Sequence, residues 1–358
     1  MAKQNNFLRV SMFGAALWTF GAAGHSMAST ASPACLDQFY QAAAPQLQNE
    51  KLKANTTPLC LNGFNALHSG VSKTSLWVAE ALTPERLSIK IARKDSFHEE
   101  NQVPAQQRAT LEDYRGSGYD RGHMAPNADM PTKAAQHDSF SLANMVPQTP
   151  QNNQQVWREL EEGVRAYVTK QQKTLYVITG PDYSGKVSTI GKNKVLVPTA
   201  TYKAVYSPDT GMVGAYYVSN DMKVAKPQVE RISICALEQK IGINLFPKLK
   251  EQDKRQVYAL PLSAGQVKAN QSIQLLSTDE KSTCAAQVTT QQINANKKLF
   301  KPSADYEGTM VEVLAKKPVS VDEPQPSTAP SVEAPTQENV WWKSLLRELL
   351  NFLVQLLK

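Results

Sequence analysis

The segment Tyr119-Asp120-Arg121-Gly122-His123-Met124 sets a histidine beside an arginine and an aspartate. Histidine is the side chain whose ordinary pKa lets it take a proton near neutral pH. The arginine fork, always charged, matches the oxygens of a phosphate. Further along, Asn153, Trp157 and Glu161 are spaced i, i+4, i+8, so on a helix they project from one face within about 80°. Asn153 falls in the first turn of that helix, where partial positive charge favours phosphate. A carboxamide oxygen and a carboxylate on one stripe suit a hard, mostly hydrated cation such as Mg²⁺. Base, hard oxygen ligand and arginine are the parts needed to cleave a phosphodiester with a divalent metal.

The helix alone also fits a plainer reading, a polar N-terminal residue followed by a solvent-facing glutamate. Asn152 competes with Asn153 for the metal role. The chemistry matched around His123 favours a site, whereas His68, His98 and His137 lack such neighbours and read as structural or surface residues.

The elements that must hold these residues are partly legible. Leu76-Trp77-Val78-Ala79 and Leu87-Ser88-Ile89-Lys90-Ile91 have strand character, separated by a Thr-Pro turn. Residues 94–118 are polar and glycine-containing, so a long loop is expected to lead into Asp120-Arg121-Gly122-His123. Val156, Leu160, Val164 and Tyr167 give residues 153–169 helical periodicity. Leu175-Tyr176-Val177-Ile178-Thr179 reads as a buried strand ended by Gly180-Pro181, and 194–206 and 212–219 as further strands. Residues 228–241 suggest a helix stopping at Gly242, while 29–60 are expected to wrap loosely before the core begins.

The ends of the chain differ from its middle. Lys3 and Arg9 precede an apolar run, Val10 to Gly24, and Ser26-Met27-Ala28 offers small residues for cleavage after Ala28. Residues 1–28 are therefore expected to be an export signal. Cys35, Cys60, Cys235 and Cys284 are an even set in an exported chain, which suggests two disulfides. Sequential pairing closes the shortest loops. No Cys-x-x-Cys or Cys-x-x-His spacing exists, which argues against a zinc site. Residues 316–339 hold Pro, Ser, Val, Thr and Glu without period, a linker signature. In residues 340–358 the Leu, Trp and Phe side chains fall in one wide arc opposite Lys343, Arg347, Glu348, Asn351, Gln355 and Lys358. That tethered amphipathic helix suits a membrane surface, self-association or docking on the preceding domain. The 358 residues are 41% hydrophobic and carry a net charge of +7, with mean hydropathy −0.40. A substantial core is affordable, and the charge by itself assigns no nucleic-acid partner.

Tyr119-Asp120-Arg121-Gly122-His123-Met124-Ala125-Pro126 resembles the signature of the DNA/RNA non-specific endonucleases, the ββα-metal nucleases. Leu142-Ala143-Asn144-Met145-Val146-Pro147-Gln148, then Asn152-Asn153, Trp157 and Glu161, follow at the family's spacing, with echoes in Val177-Ile178-Thr179-Gly180-Pro181 and Val197-Pro198-Thr199. The resemblance covers roughly residues 57–250 and continues more weakly to about 315. It implies an α+β fold over residues 29–315, a central antiparallel sheet flanked by helices with a ββα-metal site. His123 would be the general base and Asn153 the one direct ligand of Mg²⁺, with Mn²⁺ as a substitute. Glu161 would hold a metal-bound water, and Arg121 and Arg93 would bind the scissile phosphate. Asn144 and Gln148 would shape the pocket, Gln148 on the substrate side, while Asp120 braces the loop. DNA and RNA would be cut to 5′-phosphate and 3′-hydroxyl ends in the periplasm or outside the cell. The competing expectation is an envelope protein that binds nucleic acid on this fold with little or no cleavage.

Overall fold

A computed structural model describes residues 35–308. The export signal expected at 1–28, the linker at 316–339 and the amphipathic helix at 340–358 lie outside the described residues.

The chain opens with β1 (Gln46–Leu47), which pairs with Ile243–Asn244. β2 (Thr56–Leu61), β3 (Phe64–Ser69) and β4 (Thr74–Leu82) form an antiparallel meander. Two short strands follow, β5 (Asp120–His123) and β6 (Met145–Gln148). β7 (Leu175–Asp182) returns to the meander. After the small hairpin of β8 (Ser188–Ile190) and β9 (Val195–Val197) come β10 (Ala200–Tyr206), β11 (Val213–Ser219) and β12 (Val229–Ile232). Seven strands make one antiparallel sheet in the order β12-β11-β10-β7-β4-β3-β2.

Both faces of this sheet are covered, as the period-two alternation of its strands requires. On one face Trp77, Ala79, Ile178, Tyr202 and Ala204 pack against Phe39 and against Ile234 and Leu237 of a helix, Ile234–Ile241. On the other, Leu82, Val177, Val205, Tyr216 and Val218 pack against Trp157, Leu160 and Val164. Leu160 and Val164 belong to the long helix, Arg158–Gln171, and Trp157 ends the π-helical stretch through which that helix is entered, Asn152–Trp157. The architecture is thus α+β, a central antiparallel sheet flanked by helices.

Several local expectations change. Leu87 to Ile91 is not a strand: Thr83 caps a short helix, Pro84–Ser88, by accepting from the Arg86 backbone N–H, with Pro84 in the first turn. The Thr-Pro pair marks a helix start here, not a turn between strands. Residues 94–118 are not one open loop. Thr110 and Asp113 form a capping box on a short helix, Leu111–Tyr114, and Arg108 donates to the carbonyls of Glu100 and Val103. Residues 194–206 divide at Pro198 between β9 and β10, because proline cannot donate to a ladder. Residues 228–241 split into β12 and the helix at Ile234–Ile241, whose N-cap is Ser233. Residues 35–60 are anchored rather than loosely wrapped.

The anchor is the Cys35–Cys60 disulfide, and a second bridge joins Cys235 to Cys284, the sequential pairing. They span 25 and 49 residues, for which loop-closure entropy predicts about 3–4 kcal/mol each. Among the described residues no helix is long and apolar enough to cross a membrane.

Candidate active site

The expected loop at Asp120-Arg121-Gly122-His123 is a strand. β5 pairs antiparallel with β6, Asp120 opposite Gln148 and His123 opposite Met145. The glycine is what permits it, since any Cβ on Gly122 would collide with the Gln148 side chain lying across it. The chain leaves β6 and enters the long helix through Asn152 and Asn153. Two strands and a helix thus converge on one cleft of about 800 Å³, lined among others by Arg93, Asp120, Arg121, His123, Asn153 and Glu161.

Asp120 reaches from the strand to the helix, its Oδ2 accepting from Asn153 Nδ2 at 2.9 Å and from Gln154 Nε2 at 2.8 Å. An ionised carboxylate only accepts, so the nitrogen end of the Asn153 amide must face it and the oxygen end is left for another partner. Asn152, the competing candidate, is fully buried and donates to Thr201 Oγ1 of β10. It staples the helix start to the sheet, outside the cleft.

His123 stands between aromatic rings, 5.2 Å from Phe140 and 5.8 Å from Phe97 between centroids. Its Nε2 is buried without a hydrogen-bond partner among the described residues. Withdrawal from water, then the charges of Arg93 and Arg121, push its pKa down to about 3, against a smaller pull upward from Asp95. The ring is therefore uncharged at neutral pH and can accept a proton. The two arginines sit on the same rings, Arg121 at 3.9 Å from the Phe97 centroid and Arg93 at 5.3 Å from Phe140. Arg93 also pairs with Asp95 at 2.6 Å, a pair exposed to water.

Glu161 faces a different environment. Burial raises its carboxyl to about 7, opposed by Lys203 and Arg165 and reinforced by Asp129. A folded pKa above the ordinary 4.5 means that the folded chain holds a proton the unfolded chain releases. The corresponding stability is present below pH 4.5 and is lost as pH rises toward 7. In EDTA, wild type should lose about 3 kcal/mol relative to Glu161→Gln between pH 4.5 and 8. Parallel denaturant-unfolding curves for the two proteins across that range would contradict this.

Two of the predicted site residues lie outside the cleft. Asn144 is fully buried: its Oδ1 accepts from Ala125 N at 2.9 Å, and its Nδ2 donates to Ala125 O and Ser139 O, both at 2.8 Å. With these side-chain hydrogen bonds all made to backbone, it fixes the chain just beyond His123. Gln148 is 1% exposed, packs over Gly122 and does not line the cleft. Asn144→Ala strands the Ala125 N–H and two carbonyls in the core and should cost about 3 kcal/mol. Denaturant midpoints measure this, and a loss under 1 kcal/mol would mean that the loop holds itself.

The other histidines are as the sequence suggests. His68 is buried on the Gln107 carbonyl, and His98 stacks on His137.

The profile of the DNA/RNA non-specific endonucleases matches residues 43–252. The chain belongs to that family. Human mitochondrial endonuclease G is 41% identical over 146 residues, which are 37% of this chain and 49% of the relative. A nuclease of Nostoc sp. is 38% identical over 170 residues, 46% and 60% of the two chains. The mitochondrial nuclease of Saccharomyces cerevisiae is 30% identical over 255 residues, 61% and 76%. The chain spans about half the length of the endonuclease G relatives it matches.

Sequence reasoning passed over residues that this endonuclease-family cleft includes. Arg165 lines it and pairs with the buried Asp129 at 3.0 Å. It lies four residues beyond Glu161, so extending the same helical stripe by one step would have found it. Beneath the cleft, Arg86 pairs with Glu80 at 3.2 Å, both buried, and donates to the Asp129 carbonyl. Charges in the middle of an otherwise apolar strand and a short helix were the available signal.

Proposed function

We propose that this chain is a metal-dependent endonuclease that hydrolyses phosphodiester bonds in both DNA and RNA, leaving 5′-phosphate and 3′-hydroxyl ends. The observation that carries this reading is the Asp120–Asn153 hydrogen bond. Among the described residues it leaves an amide oxygen uncommitted in the same cleft that holds the uncharged His123 Nε2, itself without a hydrogen-bond partner there. Family membership and the names of the relatives support the same reaction class.

In this reading His123 takes a proton at Nε2 from the attacking water. Arg121 and Arg93 hold the phosphate. The donor set fits a hard divalent cation: Asn153 would hold Mg²⁺, or Mn²⁺ in its place, and Glu161 would hold one of its waters. When bound, that cation supplies positive charge against the negative charge that grows on the phosphate. Contacts centred on phosphate give little sequence preference. The two disulfides support an oxidising location, periplasmic or extracellular. For residues 341–358, the apolar arc with its two tryptophans and basic flank favours a membrane surface over self-association. Equal co-sedimentation with liposomes of the full chain and of a chain ending at Pro335 would remove that assignment.

The deciving test of the activity is simple in form. Supercoiled plasmid and single-stranded RNA are incubated with the mature protein in Mg²⁺ and in EDTA. Loss of both polymers only with Mg²⁺ is expected. Salt-sensitive binding without cleavage under any divalent ion would instead favour the envelope-binding role.

A further inference from the structure

β10 carries a lysine where its pattern calls for an apolar residue. Val205, two positions on, lies in the core beneath the long helix with Leu82, Val177 and Trp157. Lys203 shares that face, opposite Thr179 of β7 and Tyr216 of β11, and is 1% exposed. Its ammonium donates to Thr179 Oγ1 at 2.8 Å and to the carbonyl of Met124 at 3.4 Å, and lies 5.2 Å from the centre of the Trp157 ring. It makes none of the close ion pairs among the described residues.

Burying an ammonium without a contact ion pair costs several kcal/mol. A methionine would fill the same space without that cost, so packing alone does not account for the residue. What the lysine reaches does. Met124 directly follows His123, and Trp157 lies one turn along the helix from Asn153. One cation rooted in the central sheet therefore touches both arms of the cleft from below.

We infer that Lys203 is a positioning residue for phosphodiester cleavage: it fixes the β5 strand end relative to the helix, so that His123 and the Asn153–Glu161 stripe address one phosphate. This rests on the nuclease reading above. Lys203 itself touches neither water nor substrate.

The test compares wild type with Lys203→Met and Thr179→Val, the second removing only the hydroxyl that orients the ammonium. Four quantities are read: the thermal midpoint, duplex binding in EDTA by fluorescence anisotropy, kcat and KM in Mg²⁺, and Mg²⁺ affinity of the free protein by calorimetry. For Lys203→Met we expect kcat to fall about 100-fold, as for a small misplacement of reacting groups, with KM and duplex binding within about threefold. Mg²⁺ affinity should fall about tenfold, as for loss of a group that supports a metal ligand from behind. Thr179→Val should lower kcat by about tenfold at an unchanged thermal midpoint. If Lys203→Met does not fold, Thr179→Val decides alone: a lower kcat in the folded protein supports the assignment. Wild-type kcat and Mg²⁺ affinity in either folded variant overturn it. If wild type cleaves nothing, the nuclease reading falls and calorimetry decides by itself, equal Mg²⁺ affinity in wild type and variant overturning the role.

Discussion

Replacing His123 by alanine should lower kcat for plasmid cleavage by about 10³-fold, within the range for loss of a general base, while duplex affinity in EDTA should change by less than about threefold. The asymmetry follows from where the ring stands. It is set between Phe97 and Phe140, with Arg93 and Arg121 resting on those same rings. The arginines reach the cleft independently of the imidazole, so phosphate binding by them should survive its removal. In the proposed mechanism, what the substitution removes is the uncharged nitrogen that takes the proton. Because its pKa sits at about 3, protonation of His123 begins only well below pH 5 and leaves activity from pH 5 upward untouched. A fall in rate between pH 7 and 5 would belong to Glu161, at about 7, and should be absent in Glu161→Gln. Turnover of His123→Ala within tenfold of wild type would take the base role away from it.

The second large effect separates neighbouring asparagines. Asn153→Ala should raise the Mg²⁺ concentration for half-maximal activity at least about 100-fold, the upper end seen when even a supporting group is lost, and leave the unfolding midpoint nearly unchanged. Asn152→Ala should do the reverse. It removes a buried amide bonded to Thr201 and costs about 1–3 kcal/mol of stability with little change in Mg²⁺ dependence. Metal titrations and denaturant curves on the two variants settle the matter. The reverse order would move the ligand role to Asn152.

The helix side of the cleft was legible, because Asn153 and Glu161 sit at a local spacing that needs no knowledge of distant partners and both line the cleft, whereas Trp157 turns into the core. The strand side was hidden. Asp120 to His123 is short and polar, and it is a strand only because Met145 to Gln148 comes back to pair with it. The roles of Asn144 and Gln148 were illegible for a related reason. An amide that reads substrate and an amide that ties down backbone look alike until burial distinguishes them, and both proved buried. The strand expected at Leu87 to Ile91 failed on a cap, since Thr83 and Pro84 start a helix before the alternation can act. Most of the central sheet was readable because β4, β7 and β11 are long, β-branched or aromatic, and bounded by turn residues.

The helix that carries Asn153 and Glu161 is irregularly wound at its start. A continuous α-helix sets residues eight apart about 80° from alignment. The π-helical stretch Asn152–Trp157 takes up an extra residue in its wide turn, so Asn153 and Glu161 behave as though seven apart and come within about 20° of each other. Rewinding that stretch as regular α-helix with no residue removed would set the Asn153 amide and the Glu161 carboxylate about 80° apart. The irregular turn works as a spacer, trading local helical order for coaxial aim.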